Sequence, residues 1–187
     1  MKTPEELKEL VQQAKYGDSG AFSSLYDFYL TPIFRFIYFR VRSKEDAEDL
    51  TQHVFVKAWG ALGDFEQEGK SFSAWLYRIA RNTTIDYWRK KKSTPLDPAS
   101  PIFHNKQDRN PGPGELAEQK EEAELIRDAL GILNEDQQAI VTLKFIEGLS
   151  NAEISAIVGK SEGAIRQAQS RGLKVLRLHF KENNLLV

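Results

Sequence analysis

The stretch SNAEISAIVGKSEGAIRQAQSRG, Ser150–Gly172, decides how the chain is read. Its GKS has the form of the end of a phosphate-binding loop. Such a loop needs an earlier glycine in the order G-x-x-x-x-G-K-S and a strand leading into it. Ile154 stands where that glycine would be, inside a segment that Ser150 and Glu153 open as a helical capping box. A nucleotide cradle is therefore rejected. A helix-turn-helix uses more of the residues. Ala152, Ile154, Ile157 and Val158 pack a first helix, Gly159 permits the turn, and Ile165 and Ala168 pack a second. Lys160, Ser161, Arg166, Gln167, Ser170, Arg171 and Lys174 are left on the outer face. Arginine and glutamine suit bidentate contacts to guanine and adenine, while serine and lysine serve bases or phosphates. The plainer alternative is a helical hairpin with a solvated basic face. The short first helix, glycine turn and small Ala168 favour DNA recognition.

Outward from this stretch the sequence reads as helical throughout. Asn134 and Gln137 form a capping box before Ala139–Phe145, and Leu116–Leu133 repeats apolar residues at Ala123, Ile126, Leu130 and Leu133. Nearer the start, Glu5–Lys15 places Leu7, Leu10, Val11 and Ala14 on one face, and Ala21–Val41 is rich in aromatic residues. Pro32 is expected to bend or divide that second helix. Ser43 caps a third helix with an acidic first turn, which suits the helix dipole. A fourth runs from Ser71 to Lys92 with Phe72, Trp75, Leu76, Ile79, Ala80, Thr83 and Tyr87 inward. No β pattern competes, so the expected fold is all-α.

Between the fourth and fifth helices, Ser93–Gly114 holds five of the seven prolines and has no apolar periodicity. It reads as an extended tether and a domain boundary. After Lys92 the only aromatic residues are Phe103, Phe145 and Phe180. The expectation is thus two small helical domains, 1–92 and 115–187, joined by a flexible Pro-rich linker over 93–114.

The chain has 187 residues and no cysteine, so disulfides and thiolate metal sites are excluded. No apolar run reaches the roughly 18 residues needed to span a bilayer, and the start lacks a secretory apolar core, so a cytoplasmic protein without membrane insertion is expected. Net charge is −1, which argues against a protein that grips nucleic acid unaided. Positive charge is nevertheless concentrated. Arg78–Lys92 carries six cations against Asp86 alone, and Ile140 to the end carries seven Lys and Arg against four Glu. In SFSAWLYRIARNTTIDYWRKKK, aromatic rings alternate with Arg78, Arg81, Asn82 and Arg89, a combination that suits unpaired bases and their backbone. The three histidines are dispersed and no nucleophile motif is present, so neither a metal, a cofactor nor an enzyme is expected.

With these parts in order, the chain resembles bacterial RNA polymerase sigma factors of the sigma-70 family, extracytoplasmic-function (ECF) subfamily. The resemblance rests on GDSGAFSSLYDFYLTPIFRFI, DAEDLTQHVFVKAW, SFSAWLYRIARNTTIDYWRKKK and LNEDQQAIVTLKFIEGLSNAEISAIVGKSEGAIRQAQSRGLKVLR. It implies that 1–92 is a region 2 domain whose Asp49, Gln52 and His53 dock on the clamp helices of core RNA polymerase. It implies that Phe65, Gly69, Lys70 and Ser71 line a pocket for a displaced base of the minus-10 element, with Arg78, Asn82, Asp86, Arg89 and Lys90 also contacting that DNA. The region 4 domain, 115–187, is implied to bind the polymerase flap and to read the minus-35 element through Lys160, Ser161, Arg166, Gln167, Ser170, Arg171 and Lys174. The expected partners are core polymerase, promoter DNA both duplex and single-stranded, and an anti-sigma factor. Two residues depart from the family pattern: His53 stands where glutamate is common, and Asn134 where proline is common. The rival reading is a stand-alone helix-turn-helix regulator with an N-terminal partner-binding domain. Such a duplex-only regulator has no use for the aromatic and basic helix at 71–92.

Overall fold

The computed structural model describes residues 2–41, 43–66, 71–93 and 114–183. They form eight α-helices: α1 Pro4–Lys15, α2 Ser19–Tyr38, α3 Lys44–Ala61, α4 Phe72–Ser93, α5 Gly114–Gly131, α6 Glu135–Val141, α7 Asn151–Val158 and α8 Glu162–Glu182. The expected linker lies, but for its terminal Ser93 and Gly114, outside the described residues.

The helix starts follow from side chains that satisfy otherwise orphaned amides. Thr3, Asn134 and Ser150 each form a reciprocal capping box, with Glu6, Gln137 and Glu153 respectively. Asp18, Ser43 and Ser161 cap α2, α3 and α8 through one or two accepted bonds. Gly159 ends α7 in the left-handed region at φ 71°, where a Cβ would cost about 1–2 kcal/mol.

Pro32 does not divide α2, which is continuous from Ser19 to Tyr38. A proline removes one hydrogen bond and strains one turn. Against this, α2 buries Leu25, Tyr29, Ile33, Phe36 and Ile37 along a single face, and each large apolar side chain so buried contributes about 1.5–3 kcal/mol. The tertiary term outweighs the local break.

In the N-terminal half, α1 packs on α2, and α2 and α4 both pack on α3 or each other. Their shared core holds Val11, Leu25, Ile33, Phe36, Ile37, Val54, Phe55, Leu62 and Leu76. In the C-terminal half α6, α7 and α8 enclose Ile140, Leu143, Ile154, Ile157 and Ile165. Gly172 lets α8 cross closely over α6, since a Cβ there would sit 3.0 Å from Val141 Cγ2.

The two halves pack against each other. Helix α7 lies on α4, and the buried residues of both halves join in one cluster. A second cluster joins Phe39, just past the end of α2, to Leu130, Leu133 and Val141. Around these apolar contacts the interface is strongly charged, with arginines on the N-terminal side and carboxylates on the C-terminal side. Arg35 forms a bidentate pair with Glu147, both bonds 2.8 Å. Arg81 Nη2 lies 3.1 Å from Asp136. Arg40 Nη2 lies 3.6 Å from Glu135. Gln138 Nε2 also donates to the Phe39 carbonyl at 2.7 Å, and Arg127 to the Tyr38 hydroxyl at 3.1 Å.

Candidate nucleic-acid and polymerase interfaces

Helix α4 has a buried face and an exposed one. Ala74, Leu76, Tyr77, Ala80, Thr83 and Thr84 are buried, and Arg78, Asn82, Arg89 and Lys90 are exposed, with Asp86 half-buried between them. Steps of three and four residues align Arg78, Asn82, Asp86 and Arg89 as one stripe. Within it Arg89 Nη2 pairs with Asp86 at 3.0 Å, and the Asn82 amide can both donate and accept. Ser71 caps this helix, its Oγ accepting from Ala74 N at 3.3 Å. Gly69 and Lys70 lie outside the described residues.

Phe65 differs from the other minus-10 candidates. It is buried, with its ring centroid 4.9 Å from Trp75 and 5.8 Å from Phe72. Its carbonyl accepts from Lys15 Nζ at 2.8 Å. The ring therefore fixes the end of the α3–α4 connection to the core, and it presents no stacking surface. The aromatic residues of α4 likewise turn inward. Tyr87 donates to Asp46 at 2.6 Å and Trp88 Nε1 to the Arg40 carbonyl at 3.1 Å. Desolvation, followed by the bond to Asp46, holds the Tyr87 hydroxyl well above its usual value. Arg81 faces the C-terminal half, so the cations of α4 divide between the two faces.

In α8 and the turn that leads into it every candidate minus-35 residue is exposed: Lys160, Ser161, Arg166, Gln167, Ser170, Arg171 and Lys174. Opposite them Ile165 and Gly172 are buried. Ser161 Oγ accepts from Ala164 N, fixing the first turn. Lys160 pairs with Asp136, and Asp136 also holds Arg81 of α4. The bond from Lys160 leads, and the arginine adds to it, in drawing the Asp136 carboxyl below its ordinary value. One carboxylate thus ties the turn of the helix-turn-helix to the N-terminal half.

Helix α3 presents Asp49, Gln52 and His53 on its solvent side. The same stripe continues to Val56, 70% exposed, and near it lies Trp59, 42% exposed and packed on Phe22 at a 4.7 Å ring separation. Val56 and Trp59 thus extend the exposed stripe of Asp49, Gln52 and His53 with apolar surface. Sequence reasoning missed Val56 and Trp59 because an apolar residue in a helix is read as core. The signal was available, since Val56 falls i+7 from Asp49, on the charged face.

Three comparisons bear on these surfaces. Sigma-70 region 2 matches residues 25–94, and Sigma-70 region 4 matches residues 123–176. The ECF RNA polymerase sigma factor SigX of Bacillus subtilis is 34% identical over 163 residues, 86% of this chain and 84% of SigX. This chain is an ECF sigma factor of the sigma-70 family. The ECF sigma factor BldN of Streptomyces coelicolor is 39% identical to it over 171 residues; these cover 91% of this sigma factor and 64% of BldN. SigW of Bacillus subtilis is 30% identical over 183 residues and is covered to 97%. Among solved structures, CnrH in complex with the cytosolic domain of CnrY superposes with a TM-score of 0.75 over 95% of the sigma factor and 98% of that chain. At 24% identity this likeness supports the fold alone. The sigma factor RpoE, in complex with the anti-sigma factor NepR from Bartonella quintana, matches at 27% identity and a TM-score of 0.64, over 86% of this chain and 96% of that one. With regions 2 and 4 in one chain, the protein is a sigma factor directing promoter-specific transcription. The stand-alone regulator is not favoured. No helix among the described residues is long and apolar enough to cross a membrane.

Proposed function

We propose that this sigma factor binds core RNA polymerase and delivers it to promoters by melting the minus-10 element with residues 1–92 and reading the minus-35 element with 115–187. The carrying observation is that two separate polar stripes are exposed on one chain, each at a position where its region of the family handles DNA. Arg78, Asn82, Asp86, Arg89 and Lys90, with Ser71, Gly69 and Lys70, engage the displaced strand of the minus-10 element. Phe65 supports that site from within the core. Arg166, Gln167 and Arg171 read base edges in the major groove, while Lys160, Ser161, Ser170 and Lys174 contact the backbone and set the register of α8.

The α3 surface around Asp49, Gln52, His53, Val56 and Trp59 docks on the polymerase clamp helices, and region 4 on the flap. An anti-sigma factor is a further partner, and the protein acts in the cytoplasm without chemistry of its own. Near-neutral net charge accords with weak promoter binding by the free factor, because affinity arises when polymerase holds both DNA contacts together.

Run-off transcription with purified core polymerase tests this reading. Promoter-specific transcripts are expected only when the chain is added. Equal initiation with and without it would refute the assignment.

A further inference from the structure

Between α2 and α4 lies a cleft of about 270 Å³. The N-terminal half supplies Phe28, Tyr29, Arg35 and Tyr77 to it, and the C-terminal half supplies Glu147 and Leu149. Glu147 enters as an almost fully buried side chain, 2% exposed. Its Oε1 accepts from Arg35 Nε, and its Oε2 accepts both from Arg35 Nη2 at 2.8 Å and from the Tyr77 hydroxyl at 2.9 Å. A π-helical turn, Thr142–Ile146, places it there, closed by a bond from Glu147 N to the Thr142 carbonyl.

The anion at the centre of this site meets the arginine fork through two oxygens, as a phosphate does. Around the fork stand aromatic side chains, the partners that single-stranded nucleic acid needs for its bases while a cation holds its backbone. In the closed chain only the Phe28 ring is exposed, while Tyr29 and Tyr77 are buried, the latter with its hydroxyl bonded to Glu147 of the C-terminal half. At the start of α4, Ser73 lines the cleft, two residues from Ser71 of the proposed minus-10 site. A strand held at Ser71 therefore reaches the mouth of the cleft once the C-terminal half has moved away.

We propose that the α2–α4 cleft around Arg35 is a second binding site for single-stranded nucleic-acid backbone, and that Glu147 occupies it in the closed chain as an internal stand-in for a phosphate. The proposal rests on the reading of region 2 as a single-strand binder and assigns it a site outside the minus-10 stripe. It also makes closure of the chain and strand binding mutually exclusive at one guanidinium.

The test is fluorescence anisotropy of a labelled twelve-nucleotide oligothymidylate with the full chain across a salt series, without polymerase or promoter sequence. Glu147→Gln is expected to bind several-fold more tightly than wild type. The slope of log affinity against log salt should steepen by about 0.7, the value for one further phosphate contact on a single strand. Adding Arg35→Gln to Glu147→Gln should return the slope to wild type. Tyr77→Phe, which removes one donor to Glu147, should shift affinity in the same direction by less, and covers the case in which Glu147→Gln does not fold. Glu9→Gln on α1 makes the same charge change and should leave the slope unaltered. An unchanged slope in folded Glu147→Gln, or a steeper slope that survives loss of Arg35, overturns the proposal. Because the assay contains no polymerase, failure of run-off transcription would strike the proposed function and leave this measurement standing.

Discussion

Gly172 and Gly163 both lie in α8, and their surroundings assign them opposite work. A Cβ at Gly172 would meet Val141 Cγ2 at 3.0 Å and Gln137 Cβ at 3.7 Å, whereas at Gly163 the nearest contact is Ser161 Oγ at 4.0 Å. Gly172→Val should therefore destabilise the fold by about 1–3 kcal/mol through overpacking. Gly163→Ala should stabilise α8 by up to about 1 kcal/mol through helix propensity. The same methyl at Gly163 stands at a helix start proposed to lie close to a DNA backbone, so it should weaken duplex minus-35 binding even as the melting temperature rises. Thermal denaturation together with duplex binding separates the two effects. At this scale the sequence was most legible in its caps: Ser43, Asn134 and Ser150 announced helix starts through local chemistry alone. Phe65 was not legible, because no local pattern tells a ring that lines a pocket from one that anchors a loop.

Among the elements, α4 and the α6–α8 layer show where periodicity stops informing. The exposed row Arg78, Asn82, Asp86, Arg89 follows from helical spacing, and the reading face of α8 does too. Arg35, Arg40 and Arg81 carry the same spacing and chemistry as solvated cations, yet they face carboxylates from the other half. Only tertiary packing distinguishes the two cases. Arg40 is the extreme example: burial draws its guanidinium down to about 10, against the opposing pull of Glu135. Tyr29, beside the cleft, is pushed up to about 12, first by burial and then by Glu153.

Asp136 gives this layer a pH dependence. Its folded value is held below the ordinary 3.8, first by the bond from Lys160. A carboxyl depressed by folding contributes stability that is complete above its unfolded value and is lost as pH falls through the folded one. Urea midpoints should accordingly fall between pH 6 and pH 3, and the drop should be smaller in Asp136→Asn. An identical drop in both proteins would show that the Lys160–Asp136–Arg81 link carries no weight in acid.

For the whole molecule the decisive quantities are lengths. The minus-35 and minus-10 elements lie, by their names, about 25 base pairs apart, or about 85 Å along the duplex at 3.4 Å per pair. A compact chain of this size has a radius of gyration of about 16 Å and is about 40 Å across. On the proposed assignment of α4 and α8, the closed arrangement does not span both elements at once, and promoter binding then requires the halves to part. Dyes on Gly60→Cys and Lys181→Cys, in a chain without native cysteine, should move apart when core polymerase binds. Energy transfer that stays constant through open-complex formation would contradict this. The two-part, all-helical plan was readable from the sequence, through the proline-rich boundary and the shift in aromatic content. Contact between the parts was not, since opposite charges on separate helices carry no shared periodicity.

All three tryptophans, Trp59, Trp75 and Trp88, belong to the N-terminal half, and Trp88 bonds to the Arg40 carbonyl beside the interface. Intrinsic emission excited at the indole band consequently reports the N-terminal half and its contact with the other half, while far-ultraviolet dichroism registers every helix. Followed together through one denaturation, the two signals distinguish a chain that melts as a single cooperative unit from one whose DNA-reading half is lost first.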